Sequence, residues 1–551
     1  MRASSCPRIL LSRKLMILRY VLFAAALSAT PVQPPPLFDN LGNHHHPIST
    51  KIPGVQRYFD QGLRLVYAFN HDEAVRDFQE AVRRDPQCLM CLWGVALSLG
   101  PHINVARDTE KEKLAWETIQ RGQALAPRAP AREAAYLSAL AKRYAKPPVS
   151  NPGALDLAYA NAMRELWKGD PDDSDAATLF AEAMMDLRPW KLWTLDGKPE
   201  PGTEEIVSVL EEVLRKHPTH PGANHYYIHA VEASPHPEKA LACAKRLPGL
   251  MPGAGHLVHM PSHIYLRVGR YAEASRSNEQ AIQVDRAYLK KAKPTGIYPM
   301  MYASHNFQFL WATASAEGRS ARAIQAAREM AAMFPEEMVG QMEAAMPGVD
   351  YYLGPPLLAL IRFGRWQDAL NYPKPPDSFR YLNALWHYAR SLALMRTGKL
   401  TAAEEEQSQL TSFVQRLAPD AVIGNNSAVA IFAVATKTLE GELAASKGKL
   451  DEAVRVLGEA VSLEDRLGYE EPPAWYQPVR LSLGAVLLRA GKPAEAEAVY
   501  REDLRRNPGN GWALFGLMKS LDGRSQPAAA AKARFRKAWA RADVKLTESR
   551  F

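Results

Sequence analysis

The feature that most restricts this chain is a recurring spacing of small and large residues. In "GLRLVYAFNHDEAVRDFQEAVRRDP" Gly62, Ala74, Phe78, Ala81 and Pro86 stand at fixed intervals. Related spacings return in "PEKALACAKRLPGLMP" (Ala240, Ala244, Leu247, Pro252), "YAEASRSNEQAI" (Ala274, Asn278, Ala281) and "GRSARAIQAAREMAAMFP" (Gly318, Ala323, Ala327, Met330, Pro335). Later copies carry Ala369, Ala403, Ala453 and Ala496 just after glycine-containing turns such as "GKL" and "GKP". Such spacing describes two antiparallel helices packed closely: small residues let the backbones approach, and large ones fill the space beside them. The Gly-basic turn ends one helix and restarts the next. Strand signals are nearly absent. The expected fold is therefore all-α, an α-solenoid of helix-turn-helix repeats over most of residues 55 to 540.

A repeat array also accommodates the length. A chain of 551 residues is too long for one compact core, whereas each repeat needs only its neighbours. Composition is that of an ordinary globular protein, 47% hydrophobic and 23% charged. The net charge of +9, from 68 basic and 59 acidic residues, is spread along the chain and reads as a solvated surface. No basic arm points to a nucleic-acid partner.

Arg8, Arg13, Lys14 and Arg19 precede a short apolar run, Tyr20 to Leu27, that ends in "ALSATP". This is the layout of a signal peptide, with Met16 as an alternative start and a retained anchor as the alternative fate. No other stretch is apolar enough to span a membrane, so the reading is an exported protein, periplasmic or secreted, without a transmembrane domain after signal removal. "CLMC" offers a local disulfide, Cys88 to Cys91, or two thiolate ligands with no second pair to complete a zinc site. The chain divides into a signal peptide or anchor (1–29), a Pro- and His-rich extended segment (30–54), partly degenerate N-terminal repeats (55–215), His-rich central repeats (216–340) and C-terminal repeats (341–545).

The spacing resembles the tetratricopeptide repeat, with a small residue at position 8, Ala at 20, an aromatic at 24, Ala at 27 and Pro at 32. "LGNHHHPIST", "FDQGLRLVYAFNHDEA", "DPQCLMCLWG", "HYYIHAVEAS" and "GHLVHMPSHIY" are similar to segments of a group of exported bacterial repeat proteins rich in histidine. The resemblance spans nearly the whole mature chain. It implies a scaffold for protein interaction and brings no reaction with it.

Histidine placement is more specific. Of 15 histidines, nine lie between His217 and His305. With Ala240 at position 20, one repeat begins at Pro221; with Ala274 there, the next begins at Gly255, and 255 − 221 = 34. Both repeats then carry His at positions 5 and 9: His225 and His229, then His259 and His263. His256 and His305 fall at position 2 of their repeats, and Glu232 at position 12. His225, His229 and Glu232 are spaced i, i+4, i+7, one stripe of a helix. The resemblance implies that these positions face the concave groove. Imidazoles converging from adjacent helices, with one carboxylate, are a transition-metal composition: copper, zinc or iron. Met260, Met300 and Met301 lean slightly toward copper. Glu232 is the candidate general base, ligand or orienting acceptor.

Other histidines rank lower. His44, His45 and His46 read as a solvated loop, with a tail reaching the groove as the alternative. His71 reads as structural, His102 as a helix-end cation or cap, and His217, His220 and His236 as residues bordering helix ends. "RPWKLWTLDGKPEPGTEEI" is expected to pack its aromatics over a helix end, with a lid as the alternative. No GxSxG, HExxH, Walker or GxGxxG motif occurs, so catalysis would depend on the metal. Two readings follow. One is a His-rich metal site on the concave face, in one version a metal-dependent enzyme acting on a small molecule or peptide. The other is a non-catalytic scaffold that docks a peptide or partner protein in the groove.

Overall fold

Phe78 shows why small residues recur. The ring is fully buried between two glycines: a Cβ on Gly62 would lie 2.8 Å from it, and one on Gly94 2.4 Å. Gly62 sits on the helix Val55–Tyr67, Phe78 on His71–Arg84 and Gly94 on Leu89–Leu99. One large ring thus joins a helix pair to the next pair through two places where only glycine fits. Tyr500 repeats the arrangement between Gly484 and Gly516, where added Cβ atoms would come within 2.4 and 2.2 Å. In the degenerate stretch, Leu137 packs on Gly122 in the same way.

The computed structural model describes residues 33–551 apart from 295, 344, 345 and 526. The chain divides into two units, Met1–Pro35 and Pro36–Phe551. The expected signal peptide, 1–29, lies outside the described residues. The second unit is an all-α solenoid of packed helix pairs, including Arg380–Arg396 with Leu400–Val414 and Ala428–Ser446 with Leu450–Glu464. Among the described residues the strands are two dipeptides, Val422–Ile423 and Asn426–Ser427. No helix there is long and apolar enough to cross a membrane.

The turns follow the sequence. After Arg396, Gly398 takes φ 79°. Its amide bonds to Met395 O and that of Lys399 to Leu394 O, the pair of contacts that closes a helix on a left-handed glycine. The histidine-rich run differs from one continuous helix. It forms Gly255–His259 and Pro261–Arg267, because Pro261 has no N–H to continue the first segment.

The array returns on itself. The Trp512 indole donates to Ser315 O at 2.8 Å. The Asp543 carboxylate accepts the amides of Ser320 and Ala321 at 2.7 and 3.0 Å, capping the helix Ser320–Ala331. The last repeats therefore pack against the central ones. The predicted open groove is correspondingly closed where the histidines lie: every residue of the helix Pro221–Glu232 is buried.

Cys88 and Cys91 form a disulfide across the first turn of Leu89–Leu99. His102 is not the helix-end cation expected of it. It is buried in a turn, stacked on Phe69 and 4.4 Å from the His71 ring centre. Burial, aided by Lys111 and Arg143 and opposed by Asp72, lowers the His71 pKa to about 4.

Two predictions follow from this packing. Gly94→Ala should lower stability by about 1–3 kcal/mol in urea unfolding, and adding Phe78→Leu should recover part of the loss. Because the His71 pKa is depressed, the unfolded chain binds a proton that the fold does not between pH 6.5 and 4. Stability should fall across that window by up to roughly 3 kcal/mol for this group. Urea midpoints for His71→Leu should decline less steeply than those of the parent, and equal slopes would count against the assignment.

Candidate metal centre

Three repeats contribute. Pro221–Glu232 supplies His225, His229 and Glu232; Gly255–His259 supplies His256 and His259; Pro261–Arg267 supplies His263; and Ser304–Ala316 supplies His305. The structure brings all six histidines and Glu232 together. All are buried except His305, which is partly so.

The imidazoles form two sets of three. His225 Nε2 lies 3.1 Å from both His229 Nε2 and His256 Nε2. His259 Nε2 lies 2.8 Å from His263 Nε2, with the His305 ring centre 4.9 Å from that of His259. In each set the nearest ring nitrogens lie within 4.8 Å of one another, close enough to hold one metal ion. Metal–nitrogen bonds of about 2.0–2.1 Å place neighbouring ligand atoms roughly 3.0–3.4 Å apart.

Five of the six far nitrogens are engaged; the sixth, His256 Nδ1, is buried without a hydrogen-bond partner. His225 Nδ1 donates to Tyr67 O at 2.7 Å and His229 Nδ1 to Glu232 Oε1 at 2.8 Å. His259 Nδ1 donates to Asn278 Oδ1 at 2.6 Å, with the amide oriented by its own bond from Nδ2 to Ala274 O. His263 Nδ1 donates to Glu232 Oε2 at 2.5 Å and also meets Glu471 Oε2 at 3.1 Å. His305 Nδ1 donates to Gln308 Oε1 at 2.9 Å. A neutral ring that donates through Nδ1 carries a bare lone pair at Nε2. His225 against His229, and His259 against His263, are therefore lone pairs face to face unless a cation or a proton joins them.

Electrostatics sharpen this. Burial first, and neighbouring imidazoles next, push His225, His256 and His259 well below the usual histidine range. Burial and the His263 charge lower His305 to about 3. Burial opposes charge on His263 too, but Glu232 and Glu471 outweigh it and raise it to about 10. Burial likewise opposes charge on Glu232, and His263 and His229 overcome it to hold the carboxyl at about 2. Burial and Glu232 raise Glu471 to about 7. The centre is thus one ion pair, His263 with Glu232, among neutral rings.

Sequence reasoning did not find Tyr67, Asn278, Gln308, Glu471 or Tyr469, whose hydroxyl donates to Glu471 Oε1, as parts of this site. Trp190 and Phe69 press on it, 5.5 Å from His229 and 4.5 Å from His225. Both hold positive φ, 61° and 55°, a costly conformation for bulky residues that marks sites under constraint. Trp193 donates to Ala230 O at 2.7 Å, so this loop packs on the histidine-bearing helix. A cavity of about 380 Å³ adjoins the rings, walled by Met300, Met301, Met330, Met342 and Met346 with His229, His256, His263 and His305.

The histidine loop near the start is docked, not solvated. His44 Nε2, His46 Nδ1, His220 Nε2 and the Tyr67 hydroxyl donate to the Asp175 carboxylate at 2.9, 2.7, 3.1 and 2.5 Å. His220 Nδ1 accepts the Ala223 amide at 3.1 Å, which assigns its proton to Nε2. These nitrogens lie close enough for a metal, yet they present N–H groups, and four donors fill the carboxylate. The cluster is a clasp. Burial would raise Asp175, but His44, His220 and His46 hold it well below the usual range.

No protein-family model matches the chain, and no curated protein does. Several solved structures are weakly similar. The APC/C hetero-tetramer Cut9–Hcn1 matches at 14% identity over 88% of this chain and 76% of that one, TM-score 0.31. A human IFIT1 dimer with m7Gppp-AAAA matches at 11% over 86% and 94%, TM-score 0.33. Yeast Tom70 matches at 11% over 88% and 89%, TM-score 0.28. The histidine centre rests on this chain's own geometry.

Asp175→Asn places an amide where four donors converge. It should cost roughly 3 kcal/mol or more and free the segment before Val55. Limited proteolysis should then cut between residues 37 and 54 at a concentration that leaves the parent intact.

Proposed function

We propose that this is an exported repeat protein that binds transition-metal ions through two three-histidine sets, His225–His229–His256 and His259–His263–His305. The observation that carries the reading is the convergence of Nε2 atoms: bare lone pairs 3.1 Å apart between His225 and His229, and a pair 2.8 Å apart between His259 and His263 that shares the one extra proton of His263. A cation beside the first pair replaces repulsion by ligation, and at the second it takes the place of the shared proton. Copper, zinc and iron all accept imidazole sets of this kind. Glu232 is assigned as the outer acceptor that orients His229 and His263, since each of its oxygens already takes an N–H.

Three protein ligands leave a coordination position for water or a small ligand, as catalytic zinc sites do. The adjoining cavity is of a size that holds a small molecule. Metal-dependent chemistry on such a molecule is the function this arrangement supports best. A peptide lying on the surface would not reach these rings. The Cys88–Cys91 disulfide supports an oxidising compartment.

Elemental analysis of untagged protein, isolated without chelators, should find one ion per set. His225→Ala with His259→Ala should remove metal from both sets, and unchanged metal content would sink the proposal. Glu232→Gln should keep the stoichiometry while weakening affinity about 10–100-fold.

A further inference from the structure

The helix Pro355–Arg362 ends in an arginine that is only 5% exposed. Its guanidinium lies 3.9 Å from the centre of the Trp512 ring. Neither Nε nor Nη1 has a hydrogen-bond partner. The contrast with Arg143 is direct: that buried guanidinium is paired with both Asp156 and Asp186. A buried cation with unanswered N–H groups is costly, and it is stabilised when an anion is supplied.

Arg362 lines a cavity of about 160 Å³ whose walls include Trp311, Tyr351, Tyr352, Trp475 and Tyr476. The nearby carboxyls are engaged elsewhere. Glu464 accepts the Val479 amide at 3.0 Å, and Glu470 accepts Asn426 Nδ2 at 3.1 Å. Asp503 accepts the side chains of Asn507 and Asn510. Burial also holds Glu464 up at about 8, so it competes weakly for the guanidinium near neutral pH. The cavity therefore offers one unanswered positive group and several ring faces. The volume has room for about five waters or for one small ring.

We propose that this cavity binds a small aromatic carboxylate, with Arg362 taking the carboxylate and the surrounding rings taking the apolar body. The site uses none of the histidines and does not depend on metal. It shares Gln308, Met330, Tyr352 and Glu470 with the larger cavity beside the histidine sets, so a molecule anchored at Arg362 would lie next to that chamber.

The test is calorimetric titration of the full chain with benzoate, its uncharged counterpart benzamide, and acetate, which has the charge without the ring. Benzoate should bind and raise Tm, with benzamide and acetate at least about tenfold weaker. Arg362→Gln should weaken benzoate about 10–100-fold, the range for a hydrogen bond to a charged group. Absence of benzoate binding at millimolar concentration, equal binding of benzamide, or unchanged affinity in Arg362→Gln overturns the proposal. If Arg362→Gln does not fold, Trp475→Leu keeps the guanidinium and removes a ring wall. It should narrow the preference for benzoate over acetate, and an unaltered preference overturns the proposal. A crystal grown with benzoate should place the carboxylate on the Arg362 guanidinium, and ordered water alone beside that group also overturns it.

Discussion

Glu232 is the carboxylate around which the central repeats are arranged. Its two oxygens hold imidazoles from two successive repeats, His229 and His263. It is 1% exposed, and a buried carboxylate survives only where donors and charge surround it. That requirement fixes the relative height of the two repeats. It also fixes ring orientation, because each Nδ1 must meet its oxygen. With the rings so turned, His229 Nε2 meets His225 Nε2 and His263 Nε2 meets His259 Nε2.

Two histidine–carboxylate clusters lie close together here, and proton direction separates them. Around Asp175 every ring nitrogen in contact offers a proton to the carboxylate, leaving no lone pair aimed at a common point. Around Glu232 the Nδ1 protons of five rings go to outer acceptors, and the Nε2 atoms converge with a single proton, that of His263, among them. Tyr67 joins the two: its hydroxyl bonds Asp175 and its carbonyl accepts from His225. Residue types alone would class both clusters as metal sites. The hydrogen-bond directions make one a clasp and the other a candidate centre.

Much of this was legible in the sequence because repeat architecture is a local code. The small–large spacing located helix pairs that Phe78 and Tyr500 then confirmed by their fit against glycines. The 34-residue register alone sets His225 and His229 beside His259 and His263. One further signal was available: Asn278 stands at repeat position 24, where a large apolar or aromatic residue normally packs, and it proves to orient His259. What was not legible is non-local. Glu471 reaches His263 from more than 200 residues away, and nothing in its neighbourhood marks it. The docking of His44 and His46 on Asp175, and the lack of a partner at Arg362, likewise depend on contacts between distant segments.

An open solenoid can gain or lose a unit at modest expense, since each unit touches only its neighbours. This one is different, because Trp512 reaches Ser315 and Asp543 caps the helix that begins at Ser320. Those contacts are satisfied by a set number of units in between. Duplicating or deleting one helix pair between them would move both anchors by a whole repeat and open the interior. The count of repeats in this segment is therefore a structural constant, as strand number is in a closed barrel, and lineages of such a chain should vary in loop length far more readily than in repeat number.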